Sequence, residues 1–257
     1  MTRPSITDAR PSATDAGPSV AGSGVFMAET PASVADAGPS VTAGLLVVTA
    51  VPVEAEAVRA GLTDPSVTVA PVGVGPAAAG AATARLLALA EAAGRPYQAV
   101  ISAGVAGGFT GRVAVGATVL GDRSIAADLG AESPEGFLPV DDLGMPPEVL
   151  GGGSDLPADP ALLAGLRARL PRATVGPVLT VSTVTGTAAS TAALTARHPT
   201  AVAEAMEGYG VAVAAAQAGL PFAELRTISN PIGPRDRSAW RMREALTALT
   251  AAAAALG

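Results

Sequence analysis

Four places in this 257-residue chain carry side chains or spacing suited to chemistry on a small polar molecule: Glu54, the cluster Gly104-Val105-Ala106-Gly107-Gly108, Glu207 and Asn230. Each follows a predicted strand, at 45–50, 99–102, 201–206 and 222–229. Two carboxylates, one amide and a glycine-rich turn around a common crevice can take a proton from water, hold sugar hydroxyls and read a heterocycle. Each place also has a plainer reading. Glu54 in the first turn of a helix stabilises the helix dipole, the glycines permit tight strand-to-helix packing, and Asn230 before Pro231 starts a turn. Glu207 stands between Met206 and Gly208 in an otherwise small, apolar stretch, an unusual setting for a solvated charge. His198, the single histidine, precedes Pro199 at the end of a short helical segment, where a C-terminal capping role suits it better than catalysis.

Composition narrows the chemistry further. The chain has no Cys, one His, and 16 basic residues that are all Arg, against 22 acidic ones, for a formal net charge of -6. A disulfide scaffold, a thiolate-ligated metal and a cysteine nucleophile are excluded, and the chain reads as cytoplasmic. Without Lys there is no Schiff base, no pyridoxal phosphate attachment and no Walker lysine. One His cannot build a multi-histidine metal site, although a site made of carboxylates alone stays open. No basic run offers a footprint for nucleic acid. The hydrophobic fraction is 49%, yet no stretch reads as a membrane span. Residues 65–84 lack charge but contain Pro65, Pro71, Gly73, Gly75, Pro76 and Gly80, a strand, turn and helix start rather than one long helix. A G-x-S-x-G elbow is absent, and Gly73-Val74-Gly75 is a poor dinucleotide fingerprint, with Ala78 and Gly80 following and no acid about 20 residues on.

The elements that must position these residues alternate in type. Residues 1–43 are rich in Pro, Ser, Ala, Gly and Thr, repeat Asp-Ala-Gly-Pro-Ser-Val at 15–20 and 36–41, and read as a disordered tail in which Met27 offers an alternative start. The domain is expected over 44–257. Strands are predicted at 45–50, 67–72, 99–102, 117–126, 174–182, 201–206 and 222–229. Helices are predicted at 54–60 with Gly61 as C-cap, from Pro76 to near Gly94, and at 160–170, 190–197, 208–218 and 235–256. Residues 139–159, with four Pro and Gly151-Gly152-Gly153, read as a long surface loop. Strands alternating with helices imply an α/β fold, a mostly parallel or mixed sheet covered on both faces, with ligands beyond the carboxyl ends of the strands.

Five ordered blocks are specific enough for a family resemblance: Ala50-Val51-Pro52-Val53-Glu54, Gly73-Val74-Gly75-Pro76-Ala77-Ala78-Ala79, Ser102-Ala103-Gly104-Val105-Ala106-Gly107-Gly108, Ala205-Met206-Glu207-Gly208 and Arg226-Thr227-Ile228-Ser229-Asn230. Over about 45–256 the chain resembles the purine nucleoside phosphorylase and nucleosidase superfamily. Ser182-Thr183-Val184-Thr185-Gly186-Thr187 and the segment 228–237 narrow the similarity to futalosine hydrolases of the actinobacterial type, enzymes of an alternative menaquinone pathway. The resemblance implies a three-layer α/β/α sandwich with a central mixed sheet. It also implies hydrolysis of the N-glycosidic bond of futalosine to hypoxanthine and dehypoxanthine futalosine, with no cofactor or metal, and a homo-oligomer, a dimer being the expected size. Glu54 would be the base that activates water, and Asn230 would stabilise the leaving purine. Val105, Ala106 and Gly107 would shape the water and ribose pocket, and Thr183, Val184 and Thr185 would flank the purine. Glu207 would hold the ribose hydroxyls with Met206 against the sugar and Arg226 orienting the carboxylate.

Two departures help to choose among subfamilies. Methylthioadenosine nucleosidases place Asp where this chain has Asn230; an amide cannot protonate N7 but can donate to O6 or N7 of a 6-oxopurine. Val105 stands where phosphorylases and adenine-type nucleosidases usually carry Ser or Thr, which favours water over phosphate as nucleophile. The rival readings are a purine nucleoside phosphorylase or methylthioadenosine-type nucleosidase, and a non-catalytic nucleoside-binding protein on the same fold. Futalosine carries a benzoate whose carboxylate calls for an Arg, and Arg235 and Arg237 are equal candidates by spacing.

Overall fold

The computed structural model describes residues 44–146, 149 and 152–256, and the expected tail lies outside them. The core is built on β1 (Leu45–Thr49), whose side chains alternate between two faces. Val47 packs with Val58, Ile101, Leu225 and Leu249 on one side. Leu46 and Val48 pack with Leu87, Val211 and Phe222 on the other. Burying each such side chain stabilises the fold by about 1.5–3 kcal/mol, so a strand apolar on both faces belongs in the middle of a sheet.

The chain continues through α1 (Pro52–Gly61), β2 (Thr68–Pro71), α2 (Pro76–Ala92), β3 (Ala99–Gly108) and β4 (Thr118–Ala126). Next come a hairpin of β5 (Gly130–Ser133) and β6 (Gly136–Pro139), then β7 (Asp155–Pro157), α3 (Pro160–Arg169), β8 (Thr174–Thr180) and α4 (Ala188–Arg197). The chain closes with β9 (Ala203–Ala205), α5 (Gly208–Gln217), β10 (Phe222–Pro231) and α6 (Met242–Ala253). The main sheet runs β10-β4-β8-β9-β3-β1-β2, and β10 also pairs with β3, so the strands from β3 to β10 curl back on themselves. Parallel and antiparallel pairs occur together, with β3 parallel to β1 and β10 and antiparallel to β9. The expected α/β architecture with a mixed central sheet is the observed one.

Several local expectations need correction. The glycines at 104–108 are not a turn after a strand; they lie inside β3, which runs six residues past the expected end. Gly61 is the last residue of α1 rather than its cap; Leu62 takes that place. A Cβ on Gly61 would lie 1.9 Å from the Thr250 carbonyl oxygen, so the glycine lets α1 approach α6. α1 also starts earlier than expected, at Pro52, whose missing N–H is no loss in a first turn. Among its described residues the 139–159 loop contains a 3-10 turn (Val140–Leu143) and β7, which pairs with β4. The helix expected over 235–256 is a 3-10 turn (Arg237–Ala239), then α6, then a second turn (Ala254–Leu256). The interruption has a cause: the Arg241 amide donates to the Ser229 carbonyl at 2.7 Å, tying this segment to the end of β10. His198 caps α4 as its sequence position suggests, its amide donating to the Leu194 carbonyl.

Candidate active site

Pro52 starts α1 directly after β1, which puts Glu54 in the first turn. Its Oε2 accepts the Ala50 and Val51 amides at 3.0 and 3.2 Å, closing the helix start on itself. Its Oε1 accepts the Val105 amide at 2.9 Å from β3. Glu54 therefore caps its own helix, as its place in the first turn suggests, and is also buried against the centre of the sheet. Gly104 makes this possible, because a Cβ there would lie 2.7 Å from Glu54 Oε1 and 3.0 Å from Arg226 Nη1. Burial pushes the Glu54 carboxyl above its ordinary value, opposed by the Val105 amide and Arg226.

Glu207 arrives from another direction. It is the N-cap of α5, two positions after β9 ends. Gly210 lets α5 lie against the start of α2, since a Cβ there would meet the Pro76 carbonyl oxygen at 2.0 Å. This contact brings the Gly75 amide within 3.4 Å of Glu207 Oε1. Gly75 has φ +91, a conformation that favours glycine. Glu207 Oε2 accepts from the Met206 amide at 3.3 Å and from Arg226 Nη1 at 3.4 Å.

Asn230 is aimed by an irregularity in β10. The register against β3 shifts between Ile228 and Asn230, which pair with the consecutive residues Ala106 and Gly107. Such a bulge turns the side chain that follows it. Asn230 Oδ1 accepts the Ser229 hydroxyl at 2.7 Å and Nδ2 donates to the Pro231 carbonyl at 2.9 Å. Gly107 keeps the space clear: a Cβ on it would lie 2.8 Å from Ile232 Cγ2 and 3.6 Å from Asn230 Nδ2.

Glu54, Val105, Ala106, Gly107, Val184, Thr185, Met206, Glu207 and Asn230 all line one cavity of about 420 Å³, a size suited to a small organic ligand. Two expected site residues stand elsewhere. Thr183 is exposed and outside the cavity wall. Arg226 is 1% exposed and lies behind Glu207 and Gly104 rather than on the cavity surface. Its guanidinium is committed inward, Nε to Glu224 Oε1 at 2.8 Å and Nη2 to Ser102 Oγ at 2.9 Å.

Sequence reasoning missed four residues at or beneath the site. Glu204 is buried in the wall and accepts the Thr185 amide at 2.8 Å and its hydroxyl, clamping the loop after β8. Burial raises its carboxyl, against those two hydrogen bonds. Trp240, the single tryptophan, and Met242 close the outer side of the cavity. Glu224 is 1% exposed beneath Arg226. An acidic residue two positions before an Arg in an otherwise apolar strand was the available signal for Glu224. No such signal marked Trp240.

A cavity lined by the buried carboxylates Glu54, Glu204 and Glu207 and by apolar side chains, on a mixed sheet, defines a small-molecule enzyme site of the nucleoside-processing kind. The chain belongs to the Phosphorylase superfamily, whose family model matches residues 29–256, and within it to the futalosine hydrolases. It is 50% identical over 222 residues to the futalosine hydrolase of Streptomyces coelicolor, covering 80% of this chain and 92% of that protein. It is 44% identical over 230 residues to the futalosine hydrolase of Acidothermus cellulolyticus, with coverages of 82% and 89%. Among solved structures, the native futalosine hydrolase of Helicobacter pylori shares the fold at TM-score 0.66 and 15% identity, over 84% of this chain and 97% of that one. The methylthioadenosine/S-adenosylhomocysteine nucleosidase of Colwellia psychrerythraea in complex with adenine shares it at TM-score 0.68 and 21% identity, over 84% and 93%.

Proposed function

We propose that the protein hydrolyses the N-glycosidic bond of futalosine, releasing hypoxanthine and dehypoxanthine futalosine. The observation that carries this reading is the convergence of Glu54, Glu207 and Asn230 on one cavity from three distant parts of the chain. Glu54 takes a proton from water as the water oxygen bonds to C1′ and the C1′–N9 bond breaks. Glu207 holds the ribose hydroxyls while positive charge develops on the sugar, with Met206 against its face. Asn230 has one amide hydrogen committed to the Pro231 carbonyl and its oxygen engaged by Ser229. The second amide hydrogen is the one that donates to O6 or N7 of the departing hypoxanthine, as negative charge builds there. Val184 and Thr185, held by Glu204, flank the purine.

Water rather than phosphate is the nucleophile in this reading. Arg226 is bound to Glu224, Glu207 and Ser102, and the Val105 amide is taken by Glu54. Of the two candidate arginines, Arg235 lines the cavity and Arg237 is not part of the wall. Arg235 has no ion-pair partner among the described residues. Of the two candidates it is the one assigned to the substrate's benzoate carboxylate. A homodimer and a cytoplasmic location complete the reading; among the described residues no helix is long and apolar enough to cross a membrane.

The test is to incubate the protein with futalosine, inosine and methylthioadenosine, each with and without phosphate, and to assay free base. Hypoxanthine released from futalosine independently of phosphate is the expected result. Release only with phosphate overturns hydrolysis in favour of phosphorolysis, and binding without release overturns catalysis. Light scattering of the purified chain tests the dimer.

A further inference from the structure

Glu224 and Arg226 lie on the same face of β10, two residues apart, in the interior of the sheet. Three glycines clear space for the pair. A Cβ on Gly104 would lie 3.0 Å from Arg226 Nη1, one on Gly121 would lie 3.1 Å from Glu224 Cβ, and one on Gly208 would lie 2.3 Å from both Glu224 carboxylate oxygens. Gly208 is the first residue of α5, directly after Glu207. The Glu224 carboxylate therefore occupies the space a side chain at Gly208 would fill, next in sequence to Glu207.

We propose that Glu224 is a positioning residue for hydrolysis, acting through Arg226 on Glu207 and Glu54. With Nε held by Glu224 and Nη2 by Ser102, the guanidinium plane has one orientation, and Nη1 is left for Glu207. A planar fork fixed at two corners cannot turn away from the third contact. Glu224 also competes for the positive charge of Arg226. The charged groups that face Glu54 are Arg226 from β10 and Glu207 from the start of α5, while β3 presents the Val105 amide. Burial raises the Glu224 carboxyl against the pull of Arg226. Removing the Glu224 charge leaves Arg226 shared between Glu207 and Glu54 alone, which favours ionised Glu54.

This inference rests on the proposed roles of Glu54 and Glu207, and its test separates the two. Glu224→Gln keeps an acceptor for Nε but removes the charge; Glu224→Leu removes both. With futalosine, the acid limb of the kcat/KM profile moves to lower pH in both variants. KM rises about tenfold or more in Glu224→Leu, the scale of one charge-assisted hydrogen bond. An unchanged KM and acid limb in both variants overturns the proposal. A uniform fall in kcat, with KM and pH profile unchanged, means only a loosened fold and overturns it as well. Binding is read separately through the fluorescence of Trp240 in the cavity wall. Glu224→Leu weakens a non-cleavable C-nucleoside analogue of inosine and leaves free hypoxanthine unaffected; equal effects on both ligands, or none on either, also overturn the proposal. Wild-type protein that binds both ligands but releases no base from futalosine sinks the functional reading while this binding comparison still judges Glu224.

Discussion

Glu54 Oε1 accepts the Val105 amide at 2.9 Å, joining the first turn of α1 to the middle of β3. The other oxygen is held by the Ala50 and Val51 amides. A carboxylate gripped at both oxygens and 3% exposed has little freedom to swing, and preorganisation of this kind is what a general base needs. Val105 makes this contact through its backbone amide rather than its side chain.

Glu54→Ala is expected to lower the rate of futalosine hydrolysis by about 10²–10⁴-fold, the range for loss of a general base. Hypoxanthine binding, followed by Trp240 fluorescence, should persist because the proposed purine contacts are at Asn230 and Thr185. Near-normal turnover in this variant would refute the assignment.

The pH dependence follows from the same carboxyl. Burial raises Glu54 above its ordinary value, and the base works only when ionised. Activity is therefore full above the raised value and falls as pH drops through it, with the acid limb of kcat/KM above the ordinary titration of a glutamate. Glu207 raises Glu54 as a like charge, so Glu207→Gln should move that limb to lower pH while raising KM. A pH–rate series on both proteins checks the sign.

Asn230→Asp replaces a donor by a carboxylate that repels O6 of a 6-oxopurine unless protonated. The expected outcome is weaker cleavage of futalosine and a relative gain on 6-amino nucleosides. Competition between the two substrate types in one reaction measures the ratio, and an unchanged ratio removes Asn230 from leaving-group recognition.

Arg235→Gln should raise KM for futalosine by about tenfold, the scale of one charge-assisted contact to a carboxylate. Affinity for hypoxanthine, which lacks the carboxylate, should stay the same. An Arg237→Gln variant measured alongside is expected to behave as wild type, because that side chain is outside the cavity wall.

Much of this was legible in the residues themselves. Leu45 to Val48 read as a buried strand, because the run is short, rich in β-branched residues and apolar on both faces. Pro76 marked the start of α2, and the ordered blocks from Ala50 to Asn230 carried the family and the two carboxylates. A periodic pattern does not say where a strand ends when its last residues are glycines, so β3 ran six residues further than expected. The segment 235–256 had helical composition throughout, but the Arg241 amide found the Ser229 carbonyl, and a long-range bond overrode local propensity.

The sequence by itself determined the alternation of strands and helices, the two-faced core and the kinds of group available: carboxylates, an amide, arginines and no thiol or lysine. These follow from apolar period and side-chain chemistry, which act over a few residues. Only the tertiary structure decided which groups meet. It set the bulge that turns Asn230 to the cavity, placed Arg235 rather than Arg237 in the wall, and withdrew Arg226 behind Glu207 onto Ser102 of β3. These placements depend on how distant parts of the chain meet, and no local pattern encodes the register of one strand against another.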